Sequence, residues 1–322
     1  MNNSGGQLSA VNKIERLTWL EVRFEAPGMS SKEIYANGRM QVKVLVVVQA
    51  IDINGDVVPL DYFPDLLNAR LIEYDEGKPL RSDVYHGIPL SGWAVSIGEN
   101  PYQHELATGS MPYRLARSAP KQKIEFWVSS SVIGTMQIAA EIMVQGKVYR
   151  SNNVVGANGS IFDSSVTVRA VPSPRYTAEL FSQHDEKVVE HGALARRYFG
   201  LILGGRRVRL IKWMPRGSAI VVNYPLDIFR ENQTENQWLF ADMVPTHHRT
   251  VTLGAGWGNI TIAVNERDGE LMMLYGDSWG HLPPEQLKRG VFFFDVVDEY
   301  GCVHPLSLQM VGDKNDIVLR NG

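Results

Sequence analysis

Asp52, Asn54 and Asp56 alternate within Ile51-Asp52-Ile53-Asn54-Gly55-Asp56-Val57-Val58-Pro59-Leu60, and oxygen-bearing side chains at every second position are what a calcium loop offers. Two positions break that reading. Gly55 stands fourth where the loop needs glycine sixth, and Phe63 holds the twelfth place, where a bidentate glutamate is required. A hairpin turn remains, and no metal or cofactor is expected. Ser278, directly after the apolar run Leu271 to Tyr275, is a candidate nucleophile, but a serine needs a histidine base oriented by a carboxylate. The spacing Asp-x-x-His is missing downstream: Gly301 lies three places before His304, and Ser278 itself three before His281. A zinc site drawn from His247, His248, His281 and His304 lacks a helical pair, and neighbours on an extended chain point to opposite faces. A non-enzymatic role is therefore the expectation, with a Ser278 hydrolase as the enzyme alternative.

Binding chemistry is better represented than catalysis. Between Gly192 and Leu226 there is no acidic residue, yet Arg196, Arg197, Arg206, Arg207, Arg209, Lys212 and Arg216 fall there, interleaved with Tyr198, Phe199 and Trp213. Guanidinium forks bind phosphates and carboxylates, and nearby rings can stack bases. Alternation places Arg207, Arg209, Ile211 and Trp213 on one face of a strand and Val208, Leu210 and Lys212 on the other, so this stretch is expected to meet an acidic protein partner rather than nucleic acid. Tyr85, Trp93 and Tyr102, with Trp257 inside Gly254-Ala255-Gly256-Trp257-Gly258-Asn259, offer the flat apolar faces that sugar rings need, which leaves a glycan as a possible ligand. Rings in loops also plug the ends of sandwiches.

The elements that must hold these residues are strands. The decapeptide from Ile51 returns as Val297-Asp298-Glu299-Tyr300-Gly301-Cys302-Val303-His304-Pro305-Leu306. Each copy follows a β-branched run, Val42 to Val48 or Val291 to Val297, so each predicts a hairpin. The run Met40 to Ile53 is apolar enough to be a central strand buried on both faces. In Leu17 to Phe24, the set Thr18, Leu20, Val22 and Phe24 is expected to face the core. Further strands are expected at Leu67 to Tyr74, Lys123 to Ser129, Thr135 to Val144, Lys147 to Arg150, Ser164 to Val171, Arg207 to Trp213, Ser218 to Asn223, Trp238 to Met243 and Leu271 to Tyr275. Helix competes with strand only over Phe181 to Phe199.

With 322 residues the chain is long enough for two or three domains, and its single cysteine, Cys302, excludes a disulfide framework within it. A net charge of −3 supplies no global field for nucleic acid. The first seven residues are polar, unlike a secretory signal, and no apolar run suits a membrane span; synthesis in the cytoplasm is expected, the final location being open to a particle or a specialised export route. The organisation predicted is a flexible tail over 1–15, a β-sandwich over 16–171 with a long aromatic-rich insertion at 75–121, a proline-rich linker at 172–177, and a second β-rich domain over 178–322.

The aliphatic-Asp-x-x-Gly-x-Val hairpin resembles the strand-turn-strand of bacterial and phage immunoglobulin-like domains, as in invasin-type adhesins and tail proteins. That resemblance implies an all-β chain of two or more sandwich domains whose work is assembly or attachment, in oligomers with other protein subunits. Gly276-Asp277-Ser278-Trp279 resembles, more locally, the nucleophile block of GDSL-type hydrolases. A phage or tail-like particle is the setting the first resemblance implies, and a secreted effector is the alternative.

Overall fold

The structure is a computed structural model and describes residues 14–26, 28–58, 67–106, 122–188, 194–216, 229–234, 237–253, 260–279, 291–311 and 316–322, with side chains omitted at a few of these. The protein is all-β. It divides into two compact units, Met1–Ser173 and Pro174–Gly322.

The first unit contains β1 (Ile14–Arg23), β2 (Ser31–Tyr35), β3 (Gln41–Asp52), β4 (Val57–Val58), β5 (Leu67–Glu73), β6 (Arg81–Ser82), β7 (Trp93–Ser96), β8 (Gln122–Ser130), β9 (Gly134–Val144), β10 (Lys147–Arg150) and β11 (Val166–Val171). One sheet runs β1-β3-β8-β7-β6, with β4 also on β3; the other runs β10-β9-β11-β2, with β5 on the far side of β9. Val42, Val44, Val46, Val48 and Val128 of the first sheet and Ile138, Ala140, Ile142 and Val168 of the second are fully buried, the period-two pattern of facing sheets. β3 is central, between β1 and β8, as its unbroken apolar run requires. The expected alternation in β1 holds at Leu20 and Val22 and continues to Phe24, but Leu17 is buried and Thr18 exposed. The register shifts between Leu17 and Trp19, and a bulge turns every side chain before it to the other face. β1 also begins at Ile14, so Ile14 and Glu15 of the expected tail belong to it.

The free rim of β1 is occupied. Lys147 Nζ donates to the Glu15 carbonyl at 3.0 Å, and Ser164 Oγ both accepts from Val22 N–H at 2.8 Å and donates to Val22 O at 3.2 Å.

The second unit contains β12 (Phe181–Lys187), β13 (Ala195–Leu203), β14 (Arg206–Val208), β15 (Leu210–Pro215), β16 (Phe229–Thr234), β17 (Gln237–Val244), β18 (Thr250–Thr252), β19 (Thr261–Ala263), β20 (Leu271–Trp279), β21 (Val291–Asp298), β22 (Val303–Val311) and β23 (Asp316–Asn321). Its sheets are β12-β13-β20-β17-β16, with β14 on β13, then β15-β21-β22-β23, and a ribbon β18-β19. Phe199, Leu201, Met243, Leu271 and Met273 pack against Phe294, Val296, Leu306 and Leu308 of the second sheet. Tyr198, Val244, Met272 and Leu274, on the opposite face, pack against Val251 and Ile262 of the ribbon. A strand covered on both faces reads as a continuous apolar run, which is why Leu271 to Leu274 shows no alternation.

Two expectations change here. Among the described residues of Phe181 to Phe199 there is no helix: β12 and β13 pair there, with Asp185 opposite Arg197 and Glu186 opposite Arg196. Cross-strand opposite charges replace the i,i+4 pairs a helix would have shown. Arg207 to Trp213 is not one strand either. β14 pairs with β13, and the chain then leaves for the other sheet, where β15 pairs with β21 across a second irregular register. The expected faces hold as far as Leu210, buried like Val208, and break at the shift before Lys212, after which Trp213 turns to the core.

Candidate functional site

Asp52 and Asp298 build the same turn from the same atoms. Asp52 Oδ1 accepts from Asn54 N–H at 2.9 Å and Asp56 N–H at 3.0 Å; Asp298 Oδ1 accepts from Tyr300 N–H and Cys302 N–H, both at 2.9 Å. Gly55 N–H donates to Asp52 O and Gly301 N–H to Asp298 O, with φ of +88° and +76° at the glycines, the left-handed region that favours glycine. Each carboxylate is buried and spent on backbone amides, which explains the Asp-x-x-Gly spacing without a cation. The copies differ at one place. Six residues after Asp52 is Val58; six after Asp298 is His304, fully buried, with Nε2 at 3.1 Å from Asp298 Oδ2. His304 Nδ1 accepts from Tyr176 N–H at 3.1 Å, so the ring's proton sits on Nε2 and points at the carboxylate. Tyr176 also lies against the His304 ring, 4.9 Å between centroids. His304 thereby fastens the first residues of the second unit to its core and has no lone pair left for chemistry.

The basic stretch finds its acidic partners within its own unit. Arg197 grips Asp185 through Nε at 2.6 Å and Nη2 at 2.9 Å, and stacks over Tyr275 at 5.1 Å. Arg196 pairs with Glu266 at 2.6 Å, Arg207 with Glu270 at 2.9 Å, Arg209 with Asp268 at 3.1 Å and Arg216 with Asp295 at 3.3 Å. Arg206 donates to Tyr300 Oη at 3.3 Å and stands 4.0 Å from Glu299. Lys212 lies on β15, opposite Val297. Burial pushes the Tyr275 hydroxyl above its usual range, with Asp185 raising it and Arg197 opposing. The run of arginines reads as a polyanion surface only in one dimension; folding interleaves it with carboxylates from β12, β21 and the 266–270 turn. Fluorescence anisotropy with single-stranded DNA or heparin at about 50 mM salt is therefore expected to show no saturable binding through this unit. Tight, salt-sensitive binding lost in Arg207→Ala would overturn that.

Over 75–106, the described part of the aromatic insertion, the residues are more ordered than their composition suggests. Tyr85 and Tyr102 do meet, edge to face with centroids 6.0 Å apart and hydroxyls 3.3 Å apart. Tyr102 is buried, however, so its ring packs and does not present a face. Trp93 is half-buried on β7, opposite Ser130. In segment 97–106 the residues Asn100, Tyr102 and His104 turn inward while Glu99, Pro101, Gln103 and Glu105 face water. That is strand periodicity without ladder bonding, since Pro101 has no N–H to give. The period was legible in Asn100-Pro101-Tyr102-Gln103-His104, but neighbouring Gly, Pro and Ser masked it.

The loops at one end of the first unit are tied by backbone bonds. Gly38 N–H donates to Ser130 O at 2.8 Å, Leu90 N–H to Gly38 O at 2.9 Å and Ser131 N–H to Gly92 O at 3.0 Å, while Gly92 N–H reaches Ser131 Oγ at 2.7 Å. From this frame Ile88, Val132 and Ile133 project with 71 %, 45 % and 67 % of their surface exposed. Sequence reasoning passed over all three, because isolated aliphatics in a loop carry no period.

Ser278 sits inside β20, paired with Trp238, and not on a turn after a strand. His247 and His248 lie at a turn closed by His248 N–H on Pro245 O, and their rings approach to 4.5 Å. The expectation that they diverge assumed an extended chain. Trp257, His281, the span Ser218 to Asn223 and the ends of the first hairpin at Pro59 and Leu60 lie outside the described residues. Among the described residues no cluster of three His, Cys, Asp or Glu side chains is arranged to hold a metal ion.

No protein-family model and no curated protein matches the sequence. Among solved structures the chain is similar to the adhesin InvE of Yersinia pseudotuberculosis, at 9% identity over 90% of this chain and 57% of that one, with a TM-score of 0.22. The collagen adhesin CNA of S. aureus matches at 9% identity, over 96% of this chain and 95% of that one, with a TM-score of 0.14. The collagen-binding domain of the Erysipelothrix rhusiopathiae surface protein RspB matches at 8% identity with the same coverage and a TM-score of 0.15. The chain thus spans little more than half of the InvE chain. At these scores the likeness carries no argument of its own, and the fold rests on the strand pairing.

Proposed function

We propose that this protein is a non-enzymatic attachment or structural protein that works through protein–protein contacts, in the setting of a phage or tail-like particle. One observation carries the reading: the aliphatic side chains of Ile88, Val132 and Ile133 are exposed on loops that four backbone and hydroxyl bonds tie to one another. Exposed apolar side chains on a rigid frame favour association, because burying them removes water without a cost in loop ordering. The arginines, which were the other surface offered by the sequence, are already paired.

The double variant Ile88→Asp/Ile133→Asp tests it. Both side chains are exposed in the free protein, so the thermal midpoint is expected to change little, with stability within about 0.5 kcal/mol of the parent. Assembly with partner subunits, read as particle size by analytical ultracentrifugation of material from the native source, is expected to be lost. Normal assembly of the double variant would remove this surface from the account.

A further inference from the structure

The outward face of sheet β1-β3-β8-β7-β6 carries an unusual patch beneath segment 97–106. Gln41 on β3 is directly opposite Ser129 on β8, which is opposite Ala94 on β7; one step along, Lys43, Trp127 and Ser96 form the next row. Side chains of such pairs share a face about 5 Å apart. Trp127 therefore lies between the long Lys43, whose ammonium stands 5.1 Å from its ring, and the short Ser96. Segment 97–106 crosses this surface as a strap. Asn100 N–H donates to Gln41 Oε1 at 3.0 Å, and the His104 ring lies against Trp127 with centroids 4.4 Å apart.

Polar groups under the strap are left without partners. Gln41 Nε2 and Ser129 Oγ, on residues that are 0% and 1% exposed, make no hydrogen bond, and neither does the buried His104 Nδ1. Burying such a group unpaired costs free energy, and orphans concentrated at one place mark a missing hydrogen-bonding ligand. An amide donor and a hydroxyl beside an indole face supply what a pyranose needs: a ring to stack its apolar C–H side, and short-range donors and acceptors for its hydroxyls.

We infer that this patch is a neutral-saccharide subsite, with Trp127 as stacking platform, Gln41 and Ser129 as hydroxyl-binding groups, and His104 occupying the stacking position when no sugar is bound. It is distinct from the loop-tip aliphatics and independent of the contact proposed for them. The strap is shut by its own side chains: His104 Nε2 is 2.8 Å from Glu99 Oε1, and Glu105 pairs with Lys32. Sugar and His104 compete for one ring face, so shortening His104 strengthens binding.

The full-length protein is titrated with the methyl glycosides of glucose, mannose, galactose and N-acetylglucosamine, each to about 50 mM, a range set by the millimolar affinity of a single small ligand. Binding is read by the fluorescence that Trp127→Phe removes and by isothermal calorimetry. One of the four is expected to saturate, about tenfold more tightly with His104→Ala and at least tenfold more weakly with Ser129→Val. If neither the parent nor His104→Ala binds any of the four, or if binding is unchanged in both Ser129→Val and Trp127→Phe, the subsite does not exist. Should Trp127→Phe fail to fold, His104→Ala and Ser129→Val decide alone, by their opposite signs.

Discussion

Asp298→Ala is expected to destabilise the second unit by roughly 3–5 kcal/mol, since it strips the partner from three buried donors at once. Tyr300 N–H and Cys302 N–H lose Oδ1, and His304 Nε2–H loses Oδ2. Water cannot replace the carboxylate beside a fully buried imidazole. The homologous change in the first unit, Asp52→Ala, removes the same two amide bonds but has Val58 where His304 stands, and its expected cost is about 1–2 kcal/mol. Asp298→Asn separates the two contributions. An amide keeps an acceptor for the turn, yet either loses the histidine or turns an N–H toward it. Hydrogen exchange measured by mass spectrometry over β21 and β22, against β3, reports the two units separately in the intact chain. Equal acceleration in Asp52→Ala and Asp298→Ala would show that His304 adds nothing to the turn.

Gly38→Ala is the second large effect, at roughly 2–4 kcal/mol in the first unit. Gly38 has φ of +66°, and a Cβ there would fall within 3.0 Å of the Leu90 carbonyl oxygen and 3.1 Å from Pro89 Cβ. Backbone, not a yielding side chain, stands in the way. The 87–92 loop must retreat and give up Leu90 N–H on Gly38 O. Gly87→Ala is the control: φ is +83° but nothing lies within 4 Å, so only the left-handed strain of about 1 kcal/mol remains. Because the displaced loop carries Ile88, Gly38→Ala is expected to weaken assembly as well as stability, whereas Gly87→Ala lowers stability alone. Thermal denaturation together with particle sizing distinguishes them, and equal Tm losses would mean that the Leu90 approach is unimportant.

Strand content was legible because it rests on local pattern. The apolar run of β3, the hairpin at Asp298 and the strands β5, β8 and β9 follow from residue type and turn chemistry within ten or so positions. The turn itself was legible as a turn, since Asp and Gly at fixed spacing leave the backbone few alternatives, though the role of each Asp carboxylate in holding two amides was not. What escaped depends on residues distant in sequence. Nothing near Arg207 announces Glu270, and nothing near Arg196 announces Glu266, so a paired surface read as an unpaired one. The 97–106 strap escaped for a related reason: its period-two pattern is satisfied by the face of a sheet and not by a neighbouring strand. Repetition of the decapeptide also promised more than it delivered. β22 pairs along most of β21, whereas among the described residues β4 touches β3 at Ala50 and Ile51 only, β8 taking positions 41–48 on that side.

The occupied rim of β1 bears on how a protein of this kind survives at high local concentration. An open strand edge is a template on which a second chain can add, and then a third, until sheets grow into fibres. Here Lys147 and Ser164 already hold the carbonyl of Glu15 and both backbone groups of Val22. A neighbour would have to displace these bonds before the first rung could form. Edge-to-edge polymerisation along β1 is thereby opposed at these two positions.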